Sequence, residues 1–383
     1  MKELAVSNTN NQRLNRESGV ELLKVIGILL VVLSHVIQTL TTGDASWAIA
    51  IKGVGITDIS TFIIAVLRYS GALGNYIFFT CSAWYLLDKE KTNYQKVMRM
   101  LLDIFVISMA WLIPMLIFKG NELTTEDIVR SIFPSYSNNN WYTTSYILFC
   151  FIYPFINLII KHLDQRKHLI VASTLFIAYF LLGFFDKFPW ASKGTYWIVM
   201  YFVMAYLRLY GARFCNSKKA NIIALVSTIV VHIGFLILSN YIFINSGEWG
   251  TMYWNGYNNP LLFIIALTSL NLMKQTRFSS RVINYVSSFS LLIYVIHENL
   301  LFRTYLRPLI WEWIYLNLGY DLLFLWIFLF ALALFAAAFI VAIIYRYTLE
   351  KPIHKLSDWL LSIIKRFVLF MTDLVIKPKE TNS

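Results

Sequence analysis

The chain has 383 residues and a formal net charge of +12, with 58% hydrophobic and only 14% charged residues. Soluble domains carry about 25% charge; at a mean hydropathy of +0.60 this chain cannot bury its apolar side chains in one water-solvated core, and the bilayer is its solvent. A soluble enzyme, a disordered tail and a small disulfide scaffold are excluded, which leaves an all-α polytopic membrane protein.

Apolar runs bounded by charge, Gly, Pro or Asn predict ten transmembrane helices, over residues 20–41, 70–87, 99–118, 143–160, 168–185, 195–211, 220–243, 260–273, 285–302 and 322–347. The first follows a polar stretch and has no small-residue cleavage site, so it reads as a retained helix and not a signal peptide. The second begins between Thr61 and Gly74, and the eighth is short. No fixed-period repeat or low-complexity linker divides the chain. Residues 1–19 form a polar N-terminal segment, 20–352 one membrane domain and 353–383 a tail.

Orientation follows from Lys and Arg, which accumulate on the cytoplasmic side. With the N-terminus inside, 24 of the 33 basic residues fall on inner segments and 8 on outer ones, Arg303 and Arg307 among the latter, while Lys24 lies within the first run. Both termini are therefore expected in the cytoplasm. The same bias accounts for the net charge without nucleic acid, and no zinc-finger or basic-zipper spacing is present. Cys81, Cys150 and Cys215 form no CxxC pair, which points away from structural disulfides and zinc. In the tail, Leu356, Trp359, Leu360, Ile363, Ile364, Phe367, Phe370 and Leu374 recur at helical spacing, interrupted by Lys365, Arg366 and Asp373. That is the pattern of an amphipathic helix lying on the inner membrane surface.

Ionisable groups inside spans are costly and therefore functional candidates. Lys24 and His35 of the first helix are eleven residues apart, about 16 Å along the axis and some 20° around it. One face, shared with Glu21, Ile28, Val31 and Val32, thus carries a cation at the cytoplasmic mouth and an imidazole about three turns deeper. This suits a ligand with an anionic head inside and a reactive tip in the membrane; a snorkelling lysine and a packing histidine would give the same pattern. In the ninth run Ser287, Ser290, Tyr294 and His297 recur at intervals of three and four and share a face. His297 falls at about the depth of His35, with Glu298 beside it. His232 in the seventh run has no such polar company and reads as a core histidine.

At the start of the third helix Lys96 and Arg99 lie on one face, placed either to clamp a phosphate or simply to supply positive-inside charge. Two outer loops interleave rings with amides, as a sugar site would. One runs from Tyr136 through Asn138, Asn139, Asn140 and Trp141 to Tyr142; the other holds Trp249, Tyr253, Trp254, Asn255, Tyr257, Asn258 and Asn259. An aromatic belt at the membrane surface is the alternative.

In this order the segments resemble the acyltransferase 3 family of integral-membrane O-acyltransferases, the type that acylates bacterial surface polysaccharides. Lys24 and His35 are similar to its basic residue, ten-residue gap and histidine. Phe78-Phe79-Thr80-Cys81-Ser82-Ala83-Trp84-Tyr85-Leu86 resembles its FF..SG..L segment, Lys96-Val97-Met98-Arg99 its basic-x-x-Arg motif, and Trp141-Tyr142 its tryptophan-aromatic pair. Ser290-Leu291-Leu292-Ile293-Tyr294-Val295-Ile296-His297 is similar to its S..IY.IH, and Glu350-Lys351-Pro352 to the Glu-x-Pro that closes its last helix. The chain departs in carrying Lys at 24 and 96 where Arg is commoner, Ala83 for Gly, and no Pro after His297. Lysine keeps the charge and loses the bidentate fork.

The resemblance implies transfer of an acyl group, usually acetyl, from cytoplasmic acyl-CoA to a hydroxyl of an envelope polysaccharide or its lipid-linked precursor, in a multi-pass protein of the bacterial cytoplasmic membrane. Acetyl-CoA would be a substrate, with no permanently bound cofactor and no metal. The donor would meet Lys24, Lys96 and Arg99, and the acceptor Ser82, Asn140, Trp141 and Tyr142. His35 would act as general base or acyl carrier, and Tyr294, His297 and Glu298 would position His35, the acceptor or the developing oxyanion. The main alternative is a carrier or flippase for a lipid-linked sugar, although no repeated half or pair of Gly/Pro-broken helices is visible; a receptor or assembly factor without chemistry is a second.

Overall fold

A backbone in lipid must satisfy its hydrogen bonds within its own segment, and among the described residues every regular element is helical. The computed structural model describes residues 18–42, 45–49, 59–135, 140–182, 196–246 and 259–376. In chain order the helices are α1 (Gly19–Leu40), α2 (Ile59–Arg68), α3 (Ser70–Leu86), α4 (Tyr94–Lys119), α5 (Thr125–Ile132), α6 (Trp141–Lys161), α7 (Gln165–Phe176) and α8 (Tyr196–Tyr210). They continue with α9 (Ala212–Asn216), α10 (Lys218–Ser246), α11 (Pro260–Lys274), α12 (Arg281–Ser287), α13 (Ser290–His297), α14 (Arg307–Leu318), α15 (Leu323–Thr348) and α16 (Glu350–Ile376). The predicted N-terminal segment up to Glu17 and most of the two ring-and-amide loops, 136–139 and 247–258, lie outside the described residues.

All ten predicted runs contain helix, but among the described residues six helical stretches are long and apolar enough to cross a membrane: Gly19–Leu40, Ile59–Leu86, Tyr94–Glu122, Trp141–Lys161, Lys218–Leu238 and Leu323–Thr348. Tyr196–Tyr210 and Pro260–Lys274 are apolar and shorter. The second run begins at Ile59, earlier than the hydropathy pattern places it, and turns at Tyr69 between α2 and α3.

Two corrections concern the region after residue 280. The ninth run is not one helix: α12 ends at Ser287 and α13 starts at Ser290. Serine hydroxyls offer the backbone alternative partners, and here Ser288 Oγ donates to the Tyr285 carbonyl and Ser290 Oγ to that of Ser287. The carbonyl freed at Ser288 accepts from Arg346 of α15 at 2.7 Å. The stretch assigned to an outer loop after residue 302 is also helical, passing through a wide π-type turn, Phe302–Leu306, into α14. At twelve residues α14 is too short to register as a span, yet its Arg307 and Trp311 are buried. A third correction concerns His232, which is half-buried and has polar company, its Nδ1 lying 3.4 Å from Asn259 Nδ2.

Helix α1 is central, packed against α3 above all and also against α2, α11, α12, α13, α14 and α15. Small residues let helix backbones approach in a membrane bundle, and α1 and α3 meet at Gly27 and Gly74. A Cβ added at Gly74 would stand 2.5 Å from the Gly27 carbonyl oxygen and 2.7 Å from Val31 Cγ2. Gly74→Ala is therefore expected to destabilise the protein by about 1–3 kcal/mol through overpacking, seen as a lower midpoint of thermal unfolding in detergent. Gly120→Ala, whose Cβ meets nothing within 4 Å, should leave that midpoint in place. Equal midpoints for the two variants would refute the tight crossing.

Candidate active site

His35 stands near the end of α1, and α13 ends on His297. The two rings meet, His35 Nδ1 lying 3.0 Å from His297 Nε2. Glu298 Oε2 approaches the same His35 Nδ1 at 2.9 Å. It can do so because the helix stops there: Asn299 accepts the Leu301 N–H on its side chain at 3.0 Å and starts the next helical segment, which makes residue 298 a corner. The corner is closed to solvent, with His297 only 1% and Glu298 only 4% exposed.

A buried carboxylate needs compensating charge and hydrogen bonds, and two arginines supply them. Arg303 Nη1 donates to Oε1 at 2.8 Å and Arg307 Nη2 to Oε2 at 2.9 Å. Arg307, itself only 1% exposed, also donates to the His297 carbonyl at 2.6 Å and to the His35 carbonyl at 3.0 Å. One guanidinium thus ties the carboxylate to the backbones of both histidines, a use of the planar fork that a lysine cannot repeat. One turn on, Trp311 donates its indole N–H to the Val36 carbonyl at 3.0 Å.

These contacts dictate where the protons sit. His297 Nδ1 lies 2.6 Å from the Ile293 carbonyl; a carbonyl only accepts, so this nitrogen carries hydrogen and Nε2 of the neutral ring presents a lone pair. The Glu298 carboxylate also only accepts, so His35 holds its hydrogen on Nδ1, shared between Glu298 and His297. In the neutral tautomer that these contacts select, the lone pair is on His35 Nε2, the arrangement of a base oriented by a carboxylate. The ligand-capable atoms of His35, His297 and Glu298 lie within 4.8 Å of one another. The separations of 2.9 and 3.0 Å are hydrogen-bond lengths, and Arg307 sets a cation on the carboxylate.

Toward the Lys24 end of α1 lies a cavity of about 310 Å³, whose lining includes Lys24, Asn75, Ser82, Lys96, Tyr142 and Tyr294. Lys96 sits in the first turn of α4, which Asn93 caps by accepting the Lys96 N–H at 2.9 Å. Lys24 Nζ is 3.4 Å from Glu21 Oε1, and buried Glu21 accepts from Ser287 Oγ at 2.5 Å, so the carboxylate aims the lysine. The stripe read across the ninth run survives its break: Ser287, Ser290 and Tyr294 all line the cavity, with His297 one turn beyond.

Not every predicted residue reaches this cavity. Arg99 turns away and pairs with Asp358 of α16, 3.2 Å from each carboxylate oxygen. Gln95 donates to the same Asp358 at 2.8 Å, and Gln95 and Arg99 together hold its carboxyl below the usual carboxylate range. Asn140 is buried at the head of α6, its carbonyl accepting from Thr143 Oγ1 at 2.9 Å. Trp141 packs its ring on Tyr142, 5.8 Å between centroids. Neither lines the cavity.

Sequence reading missed Arg303, Arg307, Glu21 and Asn75 as site residues. Asn75 had a signal: an amide inside an apolar run, seven residues before Ser82 and so on the same helical face. Arg307 had only a faint one, with Pro308 behind it and Trp311 a turn later.

The model of the acyltransferase 3 family, described as an acyltransferase domain, matches residues 17–347. No curated protein and no solved structure matches the chain.

Proposed function

The chain belongs to the acyltransferase 3 family and is a multi-pass membrane acyltransferase; from that premise we propose that it moves an acetyl group from cytoplasmic acyl-CoA to a hydroxyl of an envelope polysaccharide or its lipid-linked precursor. The observation that carries the proposal is the order along α1: a cavity holding two lysines, then, just past it, an imidazole held by a buried carboxylate. Lys24 and Lys96 suit the phosphates of CoA. Asn75, Ser82, Ser287 and Ser290 offer hydrogen-bonding groups to the amides and hydroxyl of the pantetheine arm. With the N-terminus inside, the lysines face the cytoplasm, where acyl-CoA is, and His35 faces the outer leaflet, where an envelope glycan would be met. Helix α16, with Trp359, Phe367 and Phe370 exposed, lies on the inner membrane surface in this arrangement.

In the reaction His35 Nε2 takes the proton of the acceptor hydroxyl as its oxygen attacks the thioester carbonyl carbon. The C–S bond then breaks, and the leaving thiolate receives the proton from the imidazolium, giving an ester and free CoA. Glu298, fixed by Arg303 and Arg307, stabilises the imidazolium between the two transfers.

The test uses inside-out membrane vesicles supplied with acetyl-labelled CoA. Label is expected to pass to a glycan or lipid-linked sugar fraction. Label that stays on CoA, together with no stabilisation of the purified protein by CoA, would return the chain to the carrier reading. Lys24→Ala and Lys96→Ala each remove a charged contact of about 1.5–3 kcal/mol. Each should raise the KM for acetyl-CoA about 10- to 100-fold with kcat nearly unchanged, and an unchanged KM would remove the donor from this cavity.

A further inference from the structure

The cavity stops short of the histidines. Val31 and Tyr294 line it, whereas His35 and His297, the next turn of each helix, do not. A last interval of about 5 Å is therefore occupied by side chains. The ring standing there is Tyr294, with its centroid 6.3 Å from that of His35 and 5.9 Å from that of His297. Tyr142 packs on it at 5.7 Å and is backed by Trp197 at 4.9 Å. Trp197 is fully buried and abuts Phe79 at 4.1 Å, so the wall behind the two tyrosines has close-packed partners from α3 and α8 and little room to retreat.

A thioester that reacts at His35 must bring its carbonyl carbon within about 3–3.5 Å of the attacking oxygen, so its acyl chain has to enter the space that these rings border. Resting on the acyl-CoA reading above, we infer that Tyr142 and Tyr294 form the filter for acyl-chain length, admitting acetyl and rejecting chains longer by two or more methylenes. Each methylene misfitted in an apolar pocket costs about 10- to 200-fold in specificity. The rings do this by volume, so shortening one of them creates the missing space directly.

The test competes acetyl-, butyryl- and hexanoyl-CoA in the vesicle assay with wild-type, Tyr142→Leu and Tyr142→Ala protein. Wild type should use butyryl-CoA at no more than about one-tenth the efficiency of acetyl-CoA, and the variants should raise the butyryl-to-acetyl ratio about 10-fold or more. A wild type that uses hexanoyl-CoA as readily as acetyl-CoA overturns the filter, and so do folded variants that keep the wild-type ratio. The wild-type length profile needs no substitution, so the filter stays exposed to refutation even where a variant fails to fold. A wild type that transfers no acyl group at all defeats the acyltransferase reading itself, an outcome distinct from transfer without length selection.

Discussion

His35→Ala is expected to abolish acyl transfer while leaving protein abundance unchanged. Removing a positioned general base costs about 10²- to 10⁴-fold in rate, and no other described side chain pairs a free imidazole nitrogen with this carboxylate. The fold should survive, because Glu298 keeps both of its arginines, Arg303 at 2.8 Å and Arg307 at 2.9 Å, and so is not left as an unpaired buried charge. Label transfer in vesicles, normalised to protein quantity by immunoblot, measures this. Undiminished turnover would remove His35 from the chemistry.

Arg307 has an effect of comparable size by a different route. Its guanidinium neutralises Glu298 and also holds the carbonyls of His35 and His297. Arg307→Ala leaves a buried carboxylate short of charge, a loss of about 3–5 kcal/mol when one partner of a buried pair is removed, so both abundance and activity should collapse. Arg307→Lys is the informative companion. It keeps the charge and loses the fork, so the protein should fold with kcat lowered about 10²-fold or more and the KM for acetyl-CoA unchanged, since Arg307 lies outside the donor cavity. Steady-state kinetics on the purified Lys variant decides, and a wild-type kcat would show that the bridge between the two histidine backbones is dispensable.

The contrast between Arg99 and Lys96 shows how far a helical face can be read without its neighbours. Their spacing put both on one side of α4, and α4 is a helix that begins at Tyr94. Which of them meets the cavity was settled by Asp358, 259 positions away in sequence, which draws Arg99 to α16. The break at Ser288 and Phe289 follows the same logic. Serines permit it, but the carbonyl it frees needs Arg346, 58 positions further on, and no local pattern announces that partner.

The sequence by itself determined the membrane as solvent, the all-helical fold, and the positions of Lys24, His35, Tyr294 and His297 along two helices, because hydropathy, helical rise and helical rotation are properties of neighbouring residues. Only the tertiary structure decided that His35 meets His297 and Glu298 at hydrogen-bond distance, and that an arginine 272 positions from His35 holds the cluster together. A lone charge in a short, polar-flanked segment is scored as a loop charge by any local measure. Its burial becomes tolerable only when the Glu298 carboxylate, the His297 carbonyl and the distant His35 carbonyl converge on it.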